Sequence, residues 1–373
     1  MDTKIVTLSG TFLVLSILLF SCGGSLSYDE TEKTAPETQF STSEKVISRL
    51  QLPEPGLDDD NLLQVQDYPE EGYLEIQVGP SDLRSEGHHI RYPMHLMQMP
   101  FDAWIHGFSW DIVNEQGESL PEHLLHHLNV IDPTHREWFS PISRRVLAAG
   151  RETGSQELPG IIGVPIEKDT PLLVAVMFAS PEEHDYNDVY LRLRIPYSRS
   201  EDRLIDPVSV FPFYLDAVGF VGPKGFEVPA GTTRHEWAGK PIADGNVLGM
   251  SGHLHDYGKQ ITLTNLSEGE TVWEVQPVTE REHHVVSVPR DNFFWQGGIE
   301  LNKNHTYRIS TLYYNPLEEN SSHGGMGEIG GVFIPETTSD SLWKANADNK
   351  QYREDLKFML SAHGPHEPHS AHH

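Results

Sequence analysis

Apolar and polar residues alternate along GYLEIQV (72–78), with the two-residue period of a half-buried strand. Similar strand patterns recur in AWIHGFSWDIV (103–113), HHLNVI (126–131), LLVAVMF (172–178) and VYLRLRI (189–195), and turn signals such as NEQGES separate them. A charged segment, SRSEDRLID (198–206), reads as a connection between domains. A second run follows: VSVFPFYL, FEVPAG, KQITLTNL, TVWEVQPV, HHVVSVP, GGIELNKNHTYRISTLYYN and GGVFIP. Short strands at regular spacing predict an all-β chain of two tandem β-sandwiches, over 68–200 and 207–337. Beyond them, SDSLWKANADNKQYREDLKFML predicts one amphipathic helix within 338–362, with Trp343, Tyr352, Leu356 and Met359 as its apolar contacts. The final stretch, 363–373, is too polar and proline-broken to pack.

At 373 residues the chain is long enough for two ordinary domains. The 31 glycines and 26 prolines suit a loop-rich β protein better than a helical bundle. A formal charge of −28 argues against nucleic acid as a partner, because that needs a basic surface. The N-terminus adds a location. Lys4 precedes the apolar run IVTLSGTFLVLSILLF, and SCGG follows. This is the layout of an export signal over 1–21, and cleavage before Cys22 resembles bacterial lipoprotein processing. Cys22 is the only cysteine, so no intrachain disulfide forms and its thiol is left to carry lipid. Residues 22–67, with their LDDDN cluster, read as a flexible tether from the membrane. The expected location is the bacterial cell envelope.

Histidine is the compositional outlier, with 21 copies. In MSGHLHDYG (250–258), His253 and His255 stand one residue apart, so a strand turns both rings to one side. Downstream, STLYYNPLEENSSHGGMGEIGGVFIP sets Met326 between Gly325 and Gly327, where the backbone is free to approach a site closely. Two imidazoles and a thioether form a soft ligand set that favours copper over calcium or magnesium. A second group lies in LPEHLLHHLNVIDPTHREW (120–138). His126 and His127 are adjacent, so an ideal strand points them to opposite faces. Both reach one metal only where a bulge or the strand's end re-aims one ring.

Together, GHLHDYG, YYNP…GGMG and HGFSW…HHLNV resemble the type II copper, ascorbate-dependent monooxygenases, the family of peptidylglycine alpha-hydroxylating and dopamine beta-monooxygenases. The resemblance spans roughly residues 72 to 335 and implies two jelly-roll domains with one copper each. An oxygen-activating copper would sit on His253, His255 and Met326. An electron-storing copper would sit on His126 and His127, with an ascorbate-like external reductant. The third first-domain histidine of the family has no counterpart in LLVAVMFASPEEHD; Met177 or His184 is the available substitute.

The resemblance implies hydroxylation of an organic substrate with O2. The competing reading is a non-catalytic, lipid-anchored protein that binds or sequesters copper. Other histidines have weaker claims. His88 and His89 lie near Met94, Met97 and Met99, a candidate Cu(I) relay or a plain apolar strand. His123 and His135 read as loop residues, and His283 and His284 as structural or exposed. The tail histidines, His363, His366, His369, His372 and His373, have metal-binding composition. No GxSxG motif and no phosphate-cradling loop is present.

Overall fold

The computed structural model of the chain describes residues 62–85, 90–91, 94–179, 184–280, 283–321 and 324–362. The segment expected to be a signal peptide, Cys22, most of the expected tether, His88, His89 and the histidine-rich tail lie outside the described residues. Among the described residues, no helix is long and apolar enough to cross a membrane.

The chain is all-β, built as two β-sandwiches with a short helical C-terminus. In the first sandwich an eight-stranded sheet faces a five-stranded one. Alternation explains the layering. In Tyr73–Leu83, Leu74, Ile76 and Val78 are buried, and residues between them are only partly so. They meet Leu128 and Val130 of Leu125–Arg136, and Val174 and Val176 of Pro171–Phe178, from the opposite sheet. The second sandwich packs a five-stranded sheet, with Gly245–Leu254 and Gly327–Pro335, on a four-stranded one containing Gly258–Asn265 and Tyr307–Asn315.

Two expectations need correction. The tether reading runs too far, because Leu63–Tyr68 is a strand paired antiparallel to Tyr73–Leu83, Leu63 opposite Val78. Its LQVQDY pattern alternates, and the acidic cluster before it masks that signal. The single C-terminal helix is two: Asp340–Trp343 and Lys350–Ala362. Asn349 separates them, its side-chain oxygen accepting from the backbone N–H of Gln351 at 2.9 Å and of Tyr352 at 3.2 Å, as an N-cap does.

Two interlocks fix the sandwiches together. Between two strands of the first sandwich, Trp138, Phe139 and Ile142 leave it and enter the core of the second. There Trp138 stacks flat on Phe333, centroids 3.7 Å apart, and donates its indole N–H to the Ala243 carbonyl at 2.8 Å. In return, Lys350–Ala362 packs Tyr352, Leu356, Met359 and Leu360 on Ile131, Leu173 and Ala175 of the first sandwich. Beneath it, the buried Arg145 pairs with the buried Asp355 at 2.9 Å.

Between the two five-stranded sheets lies a cavity of about 1400 Å³. Its walls include residues of both sheets, of the eight-stranded sheet such as Ile105, Phe108 and Val164, and Phe358 and Met359 of the last helix.

Candidate metal centre

His127 lies opposite Met177 on the neighbouring strand, while the next partner of that strand, Phe178, lies opposite Leu125. His126 is therefore the extra residue of a bulge. The bulge meets the condition set by adjacent histidines: both rings are part-buried, with centroids 4.3 Å apart, and both line the cavity.

From the second sandwich, His253 stands near the end of Gly245–Leu254, opposite Glu328, and His255 follows the strand. Leu254 between them is buried in the core, so both rings face the cavity, centroids 5.0 Å apart.

The resemblance to the copper monooxygenases implies that these pairs serve two centres, one in each sandwich. The structure instead brings all four rings into one cluster. His127 is 5.0 Å from His253 and 5.8 Å from His255, and His126 is 5.6 Å from His255, between ring centroids. The tightest three-ligand group takes two members from the first sandwich and one from the second. Ligand atoms of His126, His127 and His255 all lie within 4.8 Å of one another. The docking of the two sandwiches creates this group, and spacing along one chain does not encode it.

His253 has a different anchor. Its Nδ1 is hydrogen-bonded to Oε1 of the buried Glu152, which comes from the turn after Ser143–Gly150. Gly150 makes this possible: a Cβ there would sit 2.8 and 2.9 Å from the two carboxylate oxygens of Glu152. The contact leaves His253 Nε2 buried with no hydrogen-bond partner among the described residues, and the same is true of His255 Nε2. A ring whose Nδ1–H is held by a carboxylate and whose Nε2 has no partner is oriented as metal-binding histidines commonly are, once Nε2 gives up its proton.

Charges set the two HLHD rings in different protonation states in the metal-free protein. Burial disfavours the Glu152 anion, but the charge and hydrogen bond of His253 outweigh it and hold Glu152 at about 2. Burial also opposes a charge on His253, yet Glu152 raises it to about 9. His255 goes the other way: burial and the charge of His253 push it down to about 3, leaving a neutral imidazole at pH 7. Beside it, Asp256 accepts from Arg151 of the first sandwich at 2.9 Å and from the Val285 N–H at 2.9 Å. Consecutive residues Arg151 and Glu152 thus tie the first sandwich to both ends of the HLHD motif.

Met326 lines the same cavity and its backbone is held against His255. The buried Tyr313 hydroxyl donates to the Met326 carbonyl, and it accepts from the N–H of His255 at 3.1 Å and of Met326 at 3.2 Å. Met177, opposite His127, also lines the cavity. His184 does not: it is exposed and packs on Tyr186 with centroids 4.4 Å apart. Met97 and Met99 are core residues, whereas Met94 lines the cavity. His123 is exposed, and His135 pairs with Asp132 at 2.7 Å. His283 stacks on Tyr257, and His284 contacts Asp256 at 3.2 Å.

Tyr214 and Glu328 also line the cavity, with the buried Asp216 behind them. The Tyr214 hydroxyl lies 2.6 Å from Asp216 Oδ2 and 3.2 Å from Glu328 Oε1. Burial and the neighbouring Glu328 raise Asp216 to about 7. Sequence reasoning missed Glu152, Asp216 and the Tyr313 bridge. Only Tyr313 lay inside a motif already singled out, YYNP.

The donor set fits a borderline metal. Imidazoles without thiolate suit copper, zinc, iron or nickel, and nearby thioethers tilt the choice to copper.

No family model and no curated protein matches the chain. Solved structures show distant likeness. The STIV MCP is 10% identical with a TM-score of 0.33, over 74% of this chain and 95% of that one. The major capsid protein P2 from bacteriophage PM2 is 9% identical with a TM-score of 0.32, over 69% and 98%. PNGF-II is 8% identical with a TM-score of 0.33, over 71% and 66%. Likeness at this level carries no functional argument.

Proposed function

We propose that this chain is a copper-dependent, monooxygenase-like protein that hydroxylates an organic substrate with O2 and an external, ascorbate-like reductant. The observation that carries the reading is the convergence of His126, His127, His253 and His255 on the wall of one large cavity. The motif resemblance to the ascorbate-dependent monooxygenases points the same way. The balanced reaction is R–H + O2 + 2 e⁻ + 2 H⁺ → R–OH + H2O, both electrons coming from the reductant.

Copper, when bound, supplies one-electron chemistry and a position for oxygen. The chain's own residues do the rest. Neutral His255 presents a basic nitrogen, and Glu152 fixes the His253 ring by its Nδ1 and leaves Nε2 without a partner. Tyr313 keeps Met326 beside His255. Apolar lining such as Phe108, Leu147 and Phe294 excludes water and receives an apolar substrate. Asp216, buried behind the cavity-lining Tyr214 and hydrogen-bonded to its hydroxyl, holds a proton near neutrality one residue back from the wall where protons are consumed. Through Cys22 the protein is anchored in the cell envelope.

A second reading, copper sequestration without turnover, is favoured by one feature. Five of the eight methionines line the cavity: Met94, Met177, Met250, Met326 and Met359. Thioethers stabilise Cu(I). The test is copper-loaded protein with ascorbate and ¹⁸O2 against a panel of apolar C–H substrates. Incorporation of one ¹⁸O into product, lost in His255→Ala, supports hydroxylation. Tight copper binding with no substrate-dependent oxygen uptake favours sequestration.

A further inference from the structure

We infer that the chain builds one metal centre shared by the two sandwiches, rather than one in each, and that the metal cross-links them at the cavity. The inference deepens the proposed function and rests on its copper-site reading. Three observations lead to it. The closest ligand group, His126, His127 and His255, draws from both sandwiches, with all its ligand atoms within 4.8 Å. Imidazole nitrogens around one tetrahedral metal lie about 3.3 Å apart for bonds of about 2.0–2.1 Å, so small ring rotations close the set. His253 stands 5.0 Å from both His127 and His255, between ring centroids, with its Nε2 buried and unused.

A separate second-sandwich centre would have to keep His255 to itself, yet His255 is shared with the first-sandwich pair. Two ions side by side would divide four imidazoles between them. Two imidazoles per ion make a poorer set than one ion collecting the three rings whose ligand atoms already lie within 4.8 Å of one another. Glu152 acts as a positioning residue across the boundary. It reaches from the first sandwich to a ring of the second, and Arg151 beside it grips Asp256 next to His255. These contacts hold the two halves of the site in register before metal arrives. Metal binding then adds a bond network across the same seam.

The test uses the full chain with its five tail histidines changed to asparagine, titrated with Cu(II) alone. One tight ion per chain is expected. His126→Gln and His255→Gln should each weaken it at least about a hundredfold, and Glu152→Gln about ten- to a hundredfold. Amide hydrogen exchange separates a lost ligand from a lost fold. Metal should protect residues 125–128, 150–153 and 253–258 together, and either glutamine variant should abolish all of that protection while the cores stay protected. Two ions binding independently would overturn the inference, as would a His126→Gln variant that keeps one ion at wild-type affinity. Absence of any tight ion would overturn it as well. One shared ion with no oxygen chemistry leaves this inference standing and removes the proposed activity; turnover with two independent ions does the reverse.

Discussion

Replacing Glu152 by Gln removes the carboxylate that holds His253 and leaves the ring buried. In metal-free protein the loss should be largest where His253 is charged. The Glu152 contact raises His253 from 6.5 to about 9, a shift of about 2.5 units or about 3 kcal/mol at 1.36 kcal/mol per unit. Such a raised group contributes its full stability below the unfolded value near 6.5, and that contribution fades as pH climbs through 9. Working the two-state titration through gives a deficit for Glu152→Gln of about 3 kcal/mol at pH 6, about 2 at pH 7.5 and less than about 1 at pH 9. The size agrees with the 3–5 kcal/mol typical of breaking one side of a buried ion pair. Glu152, held at about 2 by the same pairing, is ionised when His253 is charged, so the proton that leaves across this window is that of His253. Urea unfolding in chelator at the three pH values, wild type against variant, measures the deficit directly. A deficit that is the same at pH 6 and pH 9, or smaller than about 1 kcal/mol at pH 6, would refute the reasoning.

Further predictions concern the seam and the pH optimum of stability. Trp138→Ala empties an aromatic site stacked on Phe333 in the second core and should cost about 3–5 kcal/mol in urea unfolding. Asp355→Ala strands the buried Arg145 guanidinium under the last helix. It should cost about 3–5 kcal/mol and open Lys350–Ala362 to proteolysis. Because burial and charged His253 depress His255 to about 3, the metal-free fold should lose stability as pH falls from about 6.5 towards 3, and His255→Phe should flatten that limb of the pH profile.

How much of this was legible in the sequence depends on how local the signal is. The alternation of Tyr73–Leu83 and the apolar run Pro171–Phe178 declare themselves within one strand, and the same period turns His253 and His255 to one side. The bulge at His126 is a mismatch between two strands roughly fifty residues apart, so HHLNV alone states only that one is needed. Glu152 gives no signal at all. Its ETG turn resembles any surface turn until Gly150 admits the carboxylate and His253 arrives from a hundred residues away. The single cluster was hidden for the same reason: it exists only because Trp138 and the last helix dock the sandwiches with their histidine faces together. The helix break was a local signal passed over, since Asn349 before KQYRED is an N-cap.

X-ray absorption at the copper edge, on full-length protein with its tail histidines replaced, tests the central claim most directly. The account predicts one copper environment dominated by imidazole, supplied by His126, His127 and His255 and lost when His255 is changed, with no second copper nearby. Two distinct copper environments, each surviving substitution of the other sandwich's histidines, would contradict it.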